Sequence, residues 1–291
     1  MGVQKVGVIG AGVMGIGVAQ SLAQTGHQAI LIDLSEDILA RARQEIRNHI
    51  RLQGFNKQKR ADPDEILSRI AFTTDYTALA DTELVVENVV ERWDVKAGVY
   101  ARLDAVCPGE CVFAANTSAI SITRLGSATA RADKVIGMHF MNPVPLKMTV
   151  EVVRGYHTSE HTLDIAKAFL AQLGKDCIVV NDAPGFVANR LSHVFMNEAA
   201  NLVLEQVAEP KDIDEIFKKC YGHAMGPLET ADLIGLDTVV DTLQILYESF
   251  QDPKFRCSPL LRKLVDAGRY GRKSGQGFYL YRRTGGAPSG S

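Results

Sequence analysis

The sequence has no excess of basic charge, few cysteines and no apolar run of membrane-spanning length. Its 32 lysines and arginines are balanced by 34 acidic residues, a formal net charge of −2. That balance excludes a protein that seeks nucleic acid by bulk charge. The 5 cysteines (Cys107, Cys111, Cys177, Cys220, Cys257) are odd in number and contain no Cys-x-x-Cys pair. Neither a disulfide framework nor a metal site is expected from them. Nothing approaches the roughly 20 consecutive apolar residues that cross a bilayer, so no membrane partner is expected. The opening MGVQKVGVIG lacks the apolar core of a secretory signal, and the expected location is the cytoplasm. With 10 prolines and 25 glycines in 291 residues, 46% of them hydrophobic, the composition is globular. The length allows one large domain or two smaller ones.

Short apolar runs alternate with helical spacing through the first part. The runs are 3–10, QAILID ending at Asp33, 71–75, 83–89, 111–118, 135–140 and 149–155. Alternation of this kind predicts an α/β domain with a mainly parallel sheet over residues 1–183. From Pro184 the apolar spacing turns helical, giving four or five helices and an all-α domain over 184–283. Pro184-Gly185 is a natural hinge between them. The Gly/Ser/Pro-rich end, 284–291, reads as a flexible tail.

The first run leads into Gly10-Ala-Gly12-Val-Met14-Gly15, followed by helical spacing. A strand before the glycines, a helix after them and an acid closing the next strand form a dinucleotide-binding pattern, whose bland alternative is a tight turn with no ligand. Gly12 allows backbone amides to approach a pyrophosphate at the helix N-terminus. Asp33 can accept from both ribose hydroxyls and repels a 2′-phosphate, and Leu34 and Ser35 offer no arginine. NAD is favoured over NADP.

Later polar residues gather at strand ends: Asn116-Thr117-Ser118, His139, Asn142 and Glu151. Ligands bind at the carboxyl ends of strands in open α/β sheets. A histidine suits proton transfer from an alcohol near neutral pH, with a carboxylate on its other nitrogen to fix the tautomer. Taken singly, each also has a structural reading. His139 can be a hydrogen-bonded strand-end residue, Ser118 a helix cap, Glu151 an outward strand residue and Asn189 an ordinary helix residue.

The segments GAGVMGIGVAQ, VVENVVE, ANTSAISIT, GMHFMNPVPLKMTVEVVRG, DAPGFVANR, GPLETADLIGLD and GRKSGQGFYLY resemble the L-3-hydroxyacyl-CoA dehydrogenase family, over roughly residues 3–281. The resemblance implies a Rossmann-like NAD-binding domain followed by an all-α domain that closes over a thioester and forms a homodimer. It implies NAD-dependent oxidation and reduction of 3-hydroxyacyl thioesters. His139 matches the family's general base, Glu151 the carboxylate that orients it, and Ser118 and Asn189 the groups that polarise the substrate carbonyl. Asp33 matches the ribose ligand, while Glu91, Lys96, Asn142 and Lys273 match residues around the rest of the cofactor.

One region departs from the family. Where its members carry a serine and a lysine for CoA, this chain has His49 and Asn56, with Lys57 and Lys59 nearby. His49, Asn56 and Lys57 are the expected substrate contacts. Two carriers therefore stay open, CoA and an acyl carrier protein, the latter as in pathways to hydroxy- or methoxymalonyl polyketide extender units. A catalytically idle relative of the lens lambda-crystallin kind is a third reading, disfavoured by the full His139, Glu151, Ser118, Asn189 set. A β-hydroxyacid dehydrogenase with a lysine base is disfavoured by Asn189-Arg190 beside the hinge.

Overall fold

The computed structural model describes residues 2–54 and 62–281. The chain divides between Phe186 and Val187 into two compact units, just after the Pro184-Gly185 pair. Asn56, Lys57, Lys59 and the tail 284–291 lie outside the described residues.

The first unit is one eight-stranded sheet in the order β3-β2-β1-β4-β5-β6-β7-β8. Its strands are β1 (Lys5–Ile9), β2 (Gln28–Ile32), β3 (Ile70–Thr73), β4 (Leu84–Glu87), β5 (Val112–Ala115), β6 (Val135–His139), β7 (Thr149–Arg154) and β8 (Asp176–Asn181). All neighbours pair in parallel except β6 and β7, which are antiparallel. The central strands are near-continuous β-branched and aliphatic runs because helices cover both faces. Val6, Val8, Leu31, Val86 and Val152 pack against Ile16, Val18 and Leu22 of α1 (Val13–Gln24), Leu39 and Ile46 of α2 (Glu36–Gly54), and Phe169 of α6 (Glu160–Gln172). Ile9, Ile32, Val85, Phe113 and Val153 point the other way, onto Tyr100 and Leu103 of α4 (Trp93–Val106) and Leu125 of α5 (Ile122–Gly126). A five-residue helix, α3 (Pro63–Leu67), precedes β3. Strand order reverses between β1 and β4, which opens a crevice at their carboxyl ends.

Every expected strand is present, and β8 is an additional one. It lies at the sheet edge with Ile178 and Val179 exposed, so burial imposes little pattern on its sequence.

The second unit has five α-helices among the described residues: α7 (Ala188–Leu204), α8 (Pro210–Tyr221), α9 (Pro227–Ile234), α10 (Leu236–Phe250) and α11 (Pro259–Asp266). Their core includes Met196, Leu228, Val239, Leu243 and Leu261. Two fully buried aspartates tie the segment after α11 to it. Asp232 accepts from the Phe278 and Tyr279 amides at 3.0 Å and from the Tyr281 hydroxyl at 2.9 Å. Asp214 accepts from the Leu228 and Glu229 amides and, at 2.6 Å, from the Tyr279 hydroxyl. Burial pushes the Asp232 carboxyl above the usual carboxylate range, and its three donors oppose that shift.

Candidate active site

The glycine loop joins β1 to α1. Gly10 has φ +93°, and a Cβ there would lie 2.9 Å from the Asn88 carbonyl oxygen. At Gly15 a Cβ would come within 1.7 Å of the Gly10 oxygen, so only glycine lets the helix start this close to the strand. A Cβ on Gly12 would meet nothing within 4 Å. Gly12 also caps α1 without a side-chain hydrogen bond. The first-turn amides of the helix, with its positive dipole end, thus face an open cradle suited to a pyrophosphate. Met14 is half-buried behind this loop. Asp33 braces the loop from β2: Oδ2 accepts from the Ala11 amide at 2.5 Å and Oδ1 from the Leu34 amide at 2.6 Å. The residues present fit a dinucleotide.

At the far end of the same row of strand termini, His139 and Glu151 are direct partners across the antiparallel β6–β7 pair. His139 Nδ1 lies 2.9 Å from Glu151 Oε2, and the two residues are 6% and 8% exposed. Against an ionised Glu151 the proton sits on Nδ1, which leaves a lone pair on Nε2. That nitrogen faces Ser118 Oγ at 3.4 Å. Phe186 sets its ring edge-on to the imidazole, 5.9 Å between centroids. It does so from left-handed backbone (φ 50°), a conformation that costs a non-glycine residue roughly 1–2 kcal/mol.

Two sets of side chains hold these strand ends, and neither was expected from the sequence in that role. Asn88 Nδ2 donates to the Val86 carbonyl, Asn116 Nδ2 donates to Asn88 Oδ1 at 2.8 Å, and the Phe140 amide donates to Asn116 Oδ1 at 3.1 Å. This train links the ends of β4, β5 and β6. The second set is Glu87, Lys96 and Glu91. Lys96 Nζ donates to both Glu87 oxygens, at 2.8 and 2.9 Å, and lies 3.6 Å from Glu91 Oε2. Burial pushes the Glu87 carboxyl up, and the Lys96 ammonium pulls it back. The expectation that Lys96 touches the cofactor directly meets a side chain with 0% exposure. Its charge is spent inside the protein on two carboxylates. The signal was present in ELVVENV, where an acid interrupts a buried apolar run.

The other expected residues divide between the two units. Asn142 is exposed after β6, and His49 is exposed on α2. Both line a groove of about 240 Å³ with Val13, Leu52, Pro143 and Leu146. Asn189 lies in the first turn of α7, in the second unit. Lys273, also in that unit, is ion-paired to Asp237 at 2.5 Å. No cluster of His, Cys, Asp and Glu able to hold a metal occurs among the described residues.

Residues 5–183 match the 3-hydroxyacyl-CoA dehydrogenase NAD binding domain, and residues 185–281 match the C-terminal domain of the same family. The chain belongs to the 3-hydroxyacyl-CoA dehydrogenase family. It is 47% identical to a probable 3-hydroxybutyryl-CoA dehydrogenase of Deinococcus radiodurans, over 95% of this chain and 100% of that one. It is 43% identical to the 3-hydroxybutyryl-CoA dehydrogenase of Bradyrhizobium diazoefficiens, over 96% of each. Among solved structures, the (S)-3-hydroxybutyryl-CoA dehydrogenase of Ralstonia eutropha matches with a TM-score of 0.92 at 40% identity, covering 97% of this chain and 100% of that one. As a member of the 3-hydroxyacyl-CoA dehydrogenase family the chain is an NAD-dependent oxidoreductase, and the glycine loop with Asp33 fits that cofactor. No helix among the described residues is long and apolar enough to cross a membrane.

Proposed function

We propose that the protein interconverts 3-hydroxyacyl-CoA and 3-oxoacyl-CoA thioesters of the 3-hydroxybutyryl type. The observation that carries this reading is the His139–Glu151 pair at the strand ends, with Nε2 facing Ser118. NAD supplies the acceptor for the hydride that leaves C3. In the oxidative direction His139 Nε2 takes the proton of the 3-hydroxyl, and Glu151 stabilises the imidazolium that results. Ser118 donates to the substrate oxygen as it becomes a carbonyl, with Asn189 assigned to the same oxygen by family resemblance. Gly10, Gly12, Met14, Gly15, Asp33 and Asn142 are the cofactor residues of the first unit, and Glu91, Lys96 and Lys273 are added to them by family resemblance alone. His49 and its apolar groove suit a pantetheine arm.

CoA is the preferred carrier because the relatives compared above are named for CoA substrates. The second unit leaves Leu191, Val207 and Leu233 exposed, which supports pairing of two copies, checked by light scattering. The deciding experiment is NADH oxidation with acetoacetyl-CoA beside the same acyl group on a carrier protein. Turnover of the CoA ester supports the reading; turnover only on the carrier protein replaces it.

A further inference from the structure

The turn that carries Ser118 is gathered around a single carboxylate oxygen. Glu91 Oε1 accepts from the amides of Ser118 at 3.0 Å, Ala119 at 2.8 Å and Ile120 at 3.1 Å, and also from the Thr117 hydroxyl. These amides precede α5, which has its own N-cap in Ser121. Successive amides converging on one point form a concavity suited to an anion. Here the chain fills it with its own side chain. The other Glu91 oxygen faces Lys96, and Lys96 is fixed by both oxygens of Glu87 at the end of β4.

We propose that Glu91 is a positioning residue for the reaction: it sets Ser118 against His139 by holding the Ser118–Ile120 amides, and the buried Lys96–Glu87 pair holds Glu91. The Ser118 amide and hydroxyl belong to one residue, so a shift of the turn displaces the hydroxyl from its place 3.4 Å from Nε2. A loss of even 1 Å in positioning is costly to a reaction that depends on alignment. The inference rests on the dehydrogenase reading for its kinetic consequence but not for its structural one.

The test has two arms on the full-length protein. In the first, amide hydrogen exchange is followed over 117–120 in wild type, Glu91→Ala and Glu91→Gln. Glu91→Ala should raise exchange there by at least about tenfold with the sheet core unchanged, because the amides lose a charged acceptor. Glu91→Gln, which keeps an acceptor oxygen, should lie between. In the second arm, NADH-dependent reduction of acetoacetyl-CoA is measured with each variant, alone and combined with Ser118→Ala. Glu91→Ala should lower kcat by about tenfold in the wild-type background and by less than about twofold beside Ser118→Ala, the non-additivity expected of residues acting through one another. Glu91→Gln should restore most of the kcat. Unchanged exchange at 118–120, or an equal loss in both backgrounds with a raised KM for NADH, overturns the proposal and makes Glu91 a cofactor contact alone. A wild type inert toward acetoacetyl-CoA would defeat the dehydrogenase reading, while the exchange arm would still decide whether Glu91 holds the turn.

Discussion

Lys96 and Glu87 meet at both carboxylate oxygens, 2.8 and 2.9 Å, with side chains 0% and 1% exposed. A buried pair of this kind does little for net stability, yet breaking it strands a charge without water. Lys96→Met is expected to destabilise the first unit by about 3–5 kcal/mol, read from urea denaturation. Glu87→Leu with Lys96→Met should recover most of that loss. The recovery is incomplete because Glu87 Oε1 also accepts from the Val89 amide at 2.6 Å. A single variant as stable as wild type would show that the pair bears no such strain.

The imidazole of His139 has its Nδ1 side occupied by Glu151 and its Nε2 side turned to Ser118. His139→Gln should lower kcat by roughly 10²–10⁴-fold, the scale of general acid–base catalysis, with NADH affinity nearly unchanged. Glu151→Gln should lower it too, since an amide does not stabilise an imidazolium. Turnover like wild type in either variant, measured at 340 nm, counts against the assignment.

Asp33 accepts from two backbone amides, Ala11 and Leu34, and under the proposed reading its charge would repel a 2′-phosphate. NADH should be strongly preferred to NADPH. Asp33→Asn should raise KM for NADH and narrow the ratio of kcat/KM between the cofactors by about tenfold or more, by removing the repulsive element. Equal kcat/KM for both cofactors in wild type contradicts this prediction.

His27 is buried at the foot of the sheet, 4% exposed, with Thr25 Oγ1 2.8 Å from Nδ1 and Phe169 edge-on. Burial lowers its pKa from the ordinary value of 6.5. The folded protein therefore binds that proton more weakly than the unfolded chain does. The stabilisation by neutral His27 is whole above about pH 6.5 and is lost as pH falls through the depressed folded value. Urea midpoints taken from pH 8 to pH 5 should fall in wild type and fall less steeply in His27→Gln. Parallel profiles would assign the slope to other groups.

The strands that bury both faces were legible because burial leaves an uninterrupted apolar run, as in β1 and β4. The glycine loop was legible because Gly10 and Gly15 sit where a Cβ would strike backbone. Strand β8 was not, since its exposed edge imposes no such constraint. The family resemblance named His139, Glu151, Glu91 and Lys96, but only the folded structure shows that Lys96 is enclosed. A lysine in a helix has the same appearance in a sequence whether its ammonium reaches solvent or an inner carboxylate. The Asn88–Asn116 train was hidden for a similar reason: side-chain amides pair across strands far apart in the chain.

The reversal of direction between β6 and β7 lets one stretch of ladder hold two partners while the connecting loop lines a separate groove. His139 and Glu151 are matched by backbone register, and the loop between those strands carries Asn142 and the Pro143–Leu146 wall of the groove. The cross-strand register, rather than the course of that loop, sets the 2.9 Å contact between His139 and Glu151. A substitution at Pro143 or Leu146 should therefore reshape the groove and leave the His139–Glu151 contact in place.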